Sequence, residues 1–120
     1  MDVIKDFMST PVLSIDIDST VEEGAKLIEE KNVSCLLVKE NEEPVGLITT
    51  TDMVKRVLAK GLDPKLIKIH SIMSKPLITM NHYLTRSDAN ETMQRKKIKH
   101  LVVREQDRVV GILTPKDMAC

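Results

Sequence analysis

A chain of 120 residues in which 18 Lys and Arg balance 18 Asp and Glu has room for one compact fold and no summed field to attract nucleic acid or an anionic membrane. Two aromatic rings, Phe7 and Tyr83, leave little to stack bases on, and two cysteines, Cys35 and Cys120, give neither a zinc spacing nor a disulfide framework. Met1 to Met8 carries Asp2, Lys5 and Asp6, and no apolar run approaches the ~20 residues of a spanning helix, so a soluble, cytoplasmic chain without membrane association is expected.

The elements come in two copies. Residues 7 to 53 overlay residues 72 to 118 at a constant offset of 65 without a gap, with thirteen identities in 47 positions. Chance at this composition gives roughly three. Met8, Ser9 and Pro11 match Met73, Ser74 and Pro76, and Gly46, Thr49, Asp52 and Met53 match Gly111, Thr114, Asp117 and Met118. The repeats are therefore set at residues 1–61 and 72–120, with 62–71 connecting them, and together they form one module.

Within each copy the periodicity is read element by element. Val12 to Ile15 and Leu77 to Met80 are short apolar runs after a proline and predict strands. Thr20 and Glu23 have the spacing of a capping box, which starts a helix with Val21, Ala25 and Ile28 on its inner face. In the second copy Thr85 opens the helix, and Ala89 and Met93 face the core. Cys35 to Lys39 pairs with Val45 to Thr49 across a turn at Asn41 to Glu43, and Leu101 to Arg104 with Val109 to Thr114 across Gln106 to Arg108. Met53, Val54, Val57 and Leu58 predict an apolar stripe on a closing helix that Gly61 terminates. The second copy leaves room for barely one closing turn before Cys120. Asp63-Pro64 marks a turn in the connecting segment, and Leu66, Ile67 and Ile69 predict that much of it packs. Neither β-α-β-β-α repeat is large enough to cover its own sheet, so the expected fold is α+β, layered α/β/β/α.

The paired openings Met8-Ser9-Thr10-Pro11 and Met73-Ser74-Lys75-Pro76, the capped helix, the hairpin and the closing Gly-x-x-Thr-x-x-Asp resemble the cystathionine beta-synthase (CBS) domain family over nearly the whole chain. The resemblance implies a tandem pair about a pseudo-two-fold axis, two clefts for adenosine-type ligands, homodimerisation, and a regulatory role toward a partner protein. One departure is Leu37-Val38 and Val102-Val103, where many members have proline before the valine. The copies also differ at the paired positions Cys35 and His100, so the two clefts need not be equivalent.

Gly46 to Asp52 and Gly111 to Asp117 each run from a strand into a helix start, where backbone amides and the hydroxyl of Thr49 or Thr114 suit a phosphate. Asp52 and Asp117 cannot donate to phosphate, but a carboxylate suits the neighbouring 2′ and 3′ hydroxyls of a ribose. The same Thr and Asp residues also form a plain N-terminal capping pair, and both readings stand at this point. The family pattern sets adenine against the opening strand of the opposite copy: Leu77 and Ile78 accompany Leu47, Thr49 and Asp52, and Val12 and Leu13 accompany Ile112, Thr114 and Asp117. It puts Lys99 or His100, in the basic stretch Arg95 to His100, at the cleft margin. Implied ligands are AMP, ADP, ATP or S-adenosylmethionine, with no cofactor required. His70, His82 and His100 fall in three segments without a nearby carboxylate or cysteine at ligand spacing, so neither a catalytic nor a metal centre is expected. The alternative function is a structural dimerisation module with empty or vestigial clefts.

Overall fold

A computed structural model describes residues 2–118 of the chain; Cys120 lies outside the described residues. The fold is α+β, with two three-stranded sheets. Two compact units are formed, one from Leu13–Leu77 and the other from Met1–Val12 with Ile78–Cys120. Each copy's opening residues thus belong to the unit built on the other copy's hairpin.

In the Leu13–Leu77 unit, β1 (Ser14–Asp16) runs parallel to β2 (Cys35–Glu40), which pairs antiparallel with β3 (Glu43–Thr49). A parallel pair needs a crossover, supplied by α1 (Val21–Lys31). The capping box at Thr20 and Glu23 forms, with Glu23 N donating to the Thr20 hydroxyl at 3.1 Å and Thr20 N donating to Glu23 Oε1 at 2.9 Å. The bond from Thr20 N, with one from the Thr20 hydroxyl to the same oxygen at 3.0 Å, holds the Glu23 carboxyl below its usual pKa. Asn32 ends the helix at φ 55, a left-handed position that asparagine tolerates. The strand β1 starts two residues later than the apolar run predicts, although Leu13 O already accepts from Leu37 N at 2.9 Å.

The inner face of α1 is corrected in one place: Ala25 is exposed, and Gly24 is the buried residue beside Val21 and Ile28. A Cβ on Gly24 would lie 3.2 Å from Ile69 and 3.3 Å from Met53, so this close approach of helix and neighbours favours glycine. The β2–β3 hairpin turns through Asn41 and Glu42 at φ 51 and 69, the two left-handed residues of a two-residue turn whose twist suits a hairpin. Leu36, Val38 and Ile48 pack with Val21, Ile28, Val57 and Ile69 to make the core of this unit.

The closing helix begins as α2 (Thr50–Met53) and widens into π-helical turns over Val54–Leu58. Met53 and Val57 point inward, but Val54 and Leu58 are 53% and 60% exposed, contrary to the four-residue stripe expected from the sequence. Widening each turn rotates residues off the four-and-three spacing on which that expectation rests. Gly61 follows at φ +69, the expected terminating position. In the connecting segment Ile69 is buried while Leu66 is 77% exposed, so it packs through fewer residues than expected.

The second unit repeats this plan. Strand β4 (Thr79–Asn81) lies parallel to β5 (Leu101–Glu105), and β5 antiparallel to β6 (Arg108–Leu113). Between β4 and β5, α3 (Arg86–Lys96) starts on a Thr85–Asp88 capping box, and Ala89 and Met93 are buried as expected. Its core gathers Ile4, Met80, Ala89, Met93, Leu101, Val103 and Leu113. The opening residues are tied in by Ile4 N donating to Leu84 O at 2.8 Å and by Arg86, which bonds Asp2 at 2.8 Å and lies 4.4 Å over the Phe7 ring. The closing turn is a single 3-10 turn, Pro115–Met118.

Candidate ligand-binding site

Each unit carries one strand-to-helix corner bearing the predicted threonine and aspartate. In the first unit Thr49 caps α2: its hydroxyl accepts from Asp52 N at 3.1 Å, and Asp52 Oδ2 accepts from Thr49 N and from the Thr49 hydroxyl, both at 3.0 Å. In the second, Asp117 Oδ2 accepts from Thr114 N at 2.9 Å and from the Thr114 hydroxyl at 3.1 Å. The capping geometry is therefore real at both corners. It consumes one oxygen of each carboxylate.

The other oxygen is differently placed. Asp52 Oδ1 lies 3.5 Å from the Ser74 hydroxyl and 3.6 Å from Arg56 Nε, and Asp117 Oδ1 lies 3.3 Å from the Ser9 hydroxyl. These are long contacts, and a carboxylate oxygen has lone pairs for two donors. Oδ1 thus retains acceptor capacity at both corners. Asp52, 8% exposed, is the one buried charged residue among those described.

The serines are held by backbone pairing. Leu47 N donates to Ser74 O at 3.0 Å and Ser74 N to Leu47 O at 2.8 Å; Ser9 N donates to Ile112 O at 2.8 Å and Ile112 N to Ser9 O at 3.1 Å. These bridges explain why Gly46 and Gly111 precede them. A Cβ on Gly46 would lie 2.7 Å from Met73 Sδ and 3.0 Å from Ser74 O, and one on Gly111 would meet Met8 Sδ and lie 2.7 Å from its Cγ.

Among the predicted ligand residues, the structure brings Leu47, Thr49 and Asp52 together in one unit and Ile112, Thr114 and Asp117 together in the other. Leu77 and Val12 fall in the units of their assigned aspartates, while Leu13 and Ile78 fall in the opposite ones. His100 is half-buried just before β5, and Lys99 is exposed. At the first corner the amides of Thr50 and Asp52 donate to Ser34 O and to the Thr49 hydroxyl, which leaves the aspartate as the stronger recognition element there. Sequence reasoning passed over Ser9, Ser74 and Arg56. The serines were present as an identical pair in the repeat, and Arg56 stands four residues after Asp52, one helical turn on.

Cys35, at the position equivalent to His100, has its thiol pushed up to about 11 by burial, so it stays protonated and is no nucleophile. Among the described residues no group of histidines, cysteines and carboxylates could hold a metal ion, and no helix is long and apolar enough to cross a membrane.

The CBS domain family model matches residues 4–59 and 69–119, so the chain belongs to the CBS domain family as a tandem pair. Such a pair is a regulatory module. The chain is 30% identical over 119 residues to the CBS domain-containing protein YhcV of Bacillus subtilis, a match spanning 99% of this chain and 84% of that one. It superposes with a TM-score of 0.92 and 29% identity on the hexameric CBS-CP12 protein from bloom-forming cyanobacteria, over 97% of this chain and 65% of that longer one. A CBS domain protein from Pyrobaculum aerophilum complexed with AMP shares the fold at a TM-score of 0.85 and 24% identity, over 96% of this chain and 88% of that one.

Proposed function

We propose that this module senses an adenosine-containing ligand, of the AMP, ADP, ATP or S-adenosylmethionine type, by presenting Asp52 and Asp117 to the ribose diol. The observation that carries the reading is the repeated division of labour in the two carboxylates. Oδ2 is fixed by the capping threonine, and Oδ1 is left beside a serine at 3.5 Å or 3.3 Å. A capping pair alone requires only the first half of that arrangement. The AMP bound by the Pyrobaculum relative supports this ligand class. The module is regulatory and not an enzyme in this reading, and it acts in the cytoplasm on a partner protein.

Calorimetry with AMP, ADP, ATP and S-adenosylmethionine tests it. Heat with at least one of them, abolished in the Asp52→Asn, Asp117→Asn double variant, is the expected result. No heat with any of the four refutes it.

A second reading, a homodimerisation unit, is favoured by Val54, Leu58, Leu62 and Leu66, which are 53%, 60%, 43% and 77% exposed in one stretch of chain. Leu58→Glu with Leu66→Glu should convert a dimer to a monomer in sedimentation; a wild type that is monomeric at high concentration removes this reading.

A further inference from the structure

Beside the π-helical turns, a cavity of about 380 Å³ is lined by Arg56, Lys60, Leu62, Ile67, Ser71 and Ile72. This volume sits at the lower end of the ~300–1,000 Å³ of small-molecule pockets. Its lining has a definite chemistry: two cations, one hydroxyl, three aliphatic side chains and no carboxylate. The widened helix runs along one side of it. Ala59 N donates to Val54 O and Leu62 N to Val57 O, both five residues back, and inserted wide turns of this kind recur at functional sites. Arg56 and Lys60, four residues apart, both line the cavity, as do Ile67, Ser71 and Ile72.

The two cations differ. Arg56 is anchored, its Nη1 donating to Ile72 O at 3.2 Å and its charge partly offset by Asp52 at 3.6 Å. Lys60 makes no ion pair with a described residue. The nearby Asp63 is turned into its own loop, where Oδ1 accepts from Lys65 N at 3.0 Å. An unneutralised ammonium beside a pre-positioned guanidinium and an aliphatic floor fits an anion that carries an apolar body. It does not fit a bare phosphate, which would leave Leu62, Ile67 and Ile72 uncovered.

We propose that this cavity is a second ligand site, separate from the aspartate corners, that takes a small aliphatic or aromatic carboxylate. The carboxylate meets Lys60 and Arg56, the Ser71 hydroxyl donates to it, and the hydrocarbon lies on Leu62, Ile67 and Ile72. The site shares Arg56 with the Asp52 corner through the 3.6 Å ion pair, while Lys60, Leu62, Ile67, Ser71 and Ile72 belong to it alone.

Backbone NMR titration of the full chain with hexanoate, 1-hexanol and inorganic phosphate provides the test. Hexanoate should give saturable shifts at Leu62, Ile67, Ser71 and Ile72, and each of the other two probes should bind on the order of tenfold more weakly, since each lacks half of the recognition. Lys60→Glu, at an exposed position that leaves folding intact, should weaken hexanoate by a similar factor and leave 1-hexanol unchanged. Hexanoate shifts that are absent, or that are identical in Lys60→Glu, overturn the proposal. Both titrations are run without any AMP-type ligand, and Lys60 makes no ion pair with Asp52, so neither result depends on nucleotide binding there.

Discussion

Replacing Asp52 by asparagine and by alanine separates its two jobs. Asparagine keeps an oxygen where Thr49 N and the Thr49 hydroxyl now donate, each at 3.0 Å, so the cap survives and stability should change by less than about 0.5 kcal/mol, the lost 3.6 Å pairing with half-exposed Arg56 included. Alanine removes both acceptors and leaves the Thr49 amide without its partner, a loss of about 1 kcal/mol for a capping interaction and roughly 4 °C in Tm for a domain of this size. Ligand binding should rank the variants differently. In asparagine, with the oxygen committed to Thr49, the amide NH2 occupies the Oδ1 position and turns an acceptor into a donor. Losing one charge-assisted bond of about 1.5–3 kcal/mol raises Kd by roughly ten- to a hundredfold or more. Calorimetry in an Asp117→Asn background reads the Asp52 corner alone, and thermal melts read the cap. Were Asp52→Asn to bind as the wild type does while Asp52→Ala does not, affinity would be following stability, and the carboxylate would be a cap and nothing more.

Other outcomes follow from local packing and charge. Gly46→Ala sets a Cβ 3.0 Å from the Ser74 carbonyl, and overpacking of this kind should cost about 1–3 kcal/mol, whereas Gly61→Ala, with open space around it and φ +69, should cost about 1 kcal/mol from backbone strain alone; urea midpoints compare them. Lys97 ends α3 at φ 55, so Lys97→Asn or Lys97→Gly should stabilise the protein by up to about 1 kcal/mol in the same assay. Because the folded-state pKa of Glu23 lies below its ordinary value of 4.5, its contribution is complete above that value and lost as pH falls through the folded pKa. The stability difference between wild type and Glu23→Gln should therefore hold constant near neutrality and shrink below pH 4.5; a difference that grows on acidification would reverse the sign of the argument.

The Thr20 and Thr85 helix starts, both hairpins and the Thr–Asp caps at both corners were legible because each depends on residues close in sequence, and the duplication because its offset of 65 runs without a gap. The misplaced Ala25 shows the limit of spacing arguments: residues 21, 24 and 28 satisfy a three-and-four pattern as well as 21, 25 and 28 do, and glycine adds no hydropathy to break the tie. Ala89, buried at the position equivalent to Gly24, held that information in the second copy. Val54 and Leu58 were misread because the pattern assumed α-helical turns, and the widened turns over Val54–Leu58 leave no local signature. Ser74 and Ser9 reach their aspartates across 22 and 108 residues of chain, a pairing set by the backbone bridges to Leu47 and Ile112 and invisible to periodicity.

The central claim, that Oδ1 of Asp52 and Asp117 receives a sugar diol, is tested most directly by titrating the wild type with whichever adenosine ligand binds best and with its 2′,3′-dideoxy counterpart. The account predicts that removing both hydroxyls weakens binding on the order of a hundredfold while leaving the base and any phosphate to contribute as before. Equal affinity for the two compounds would contradict it.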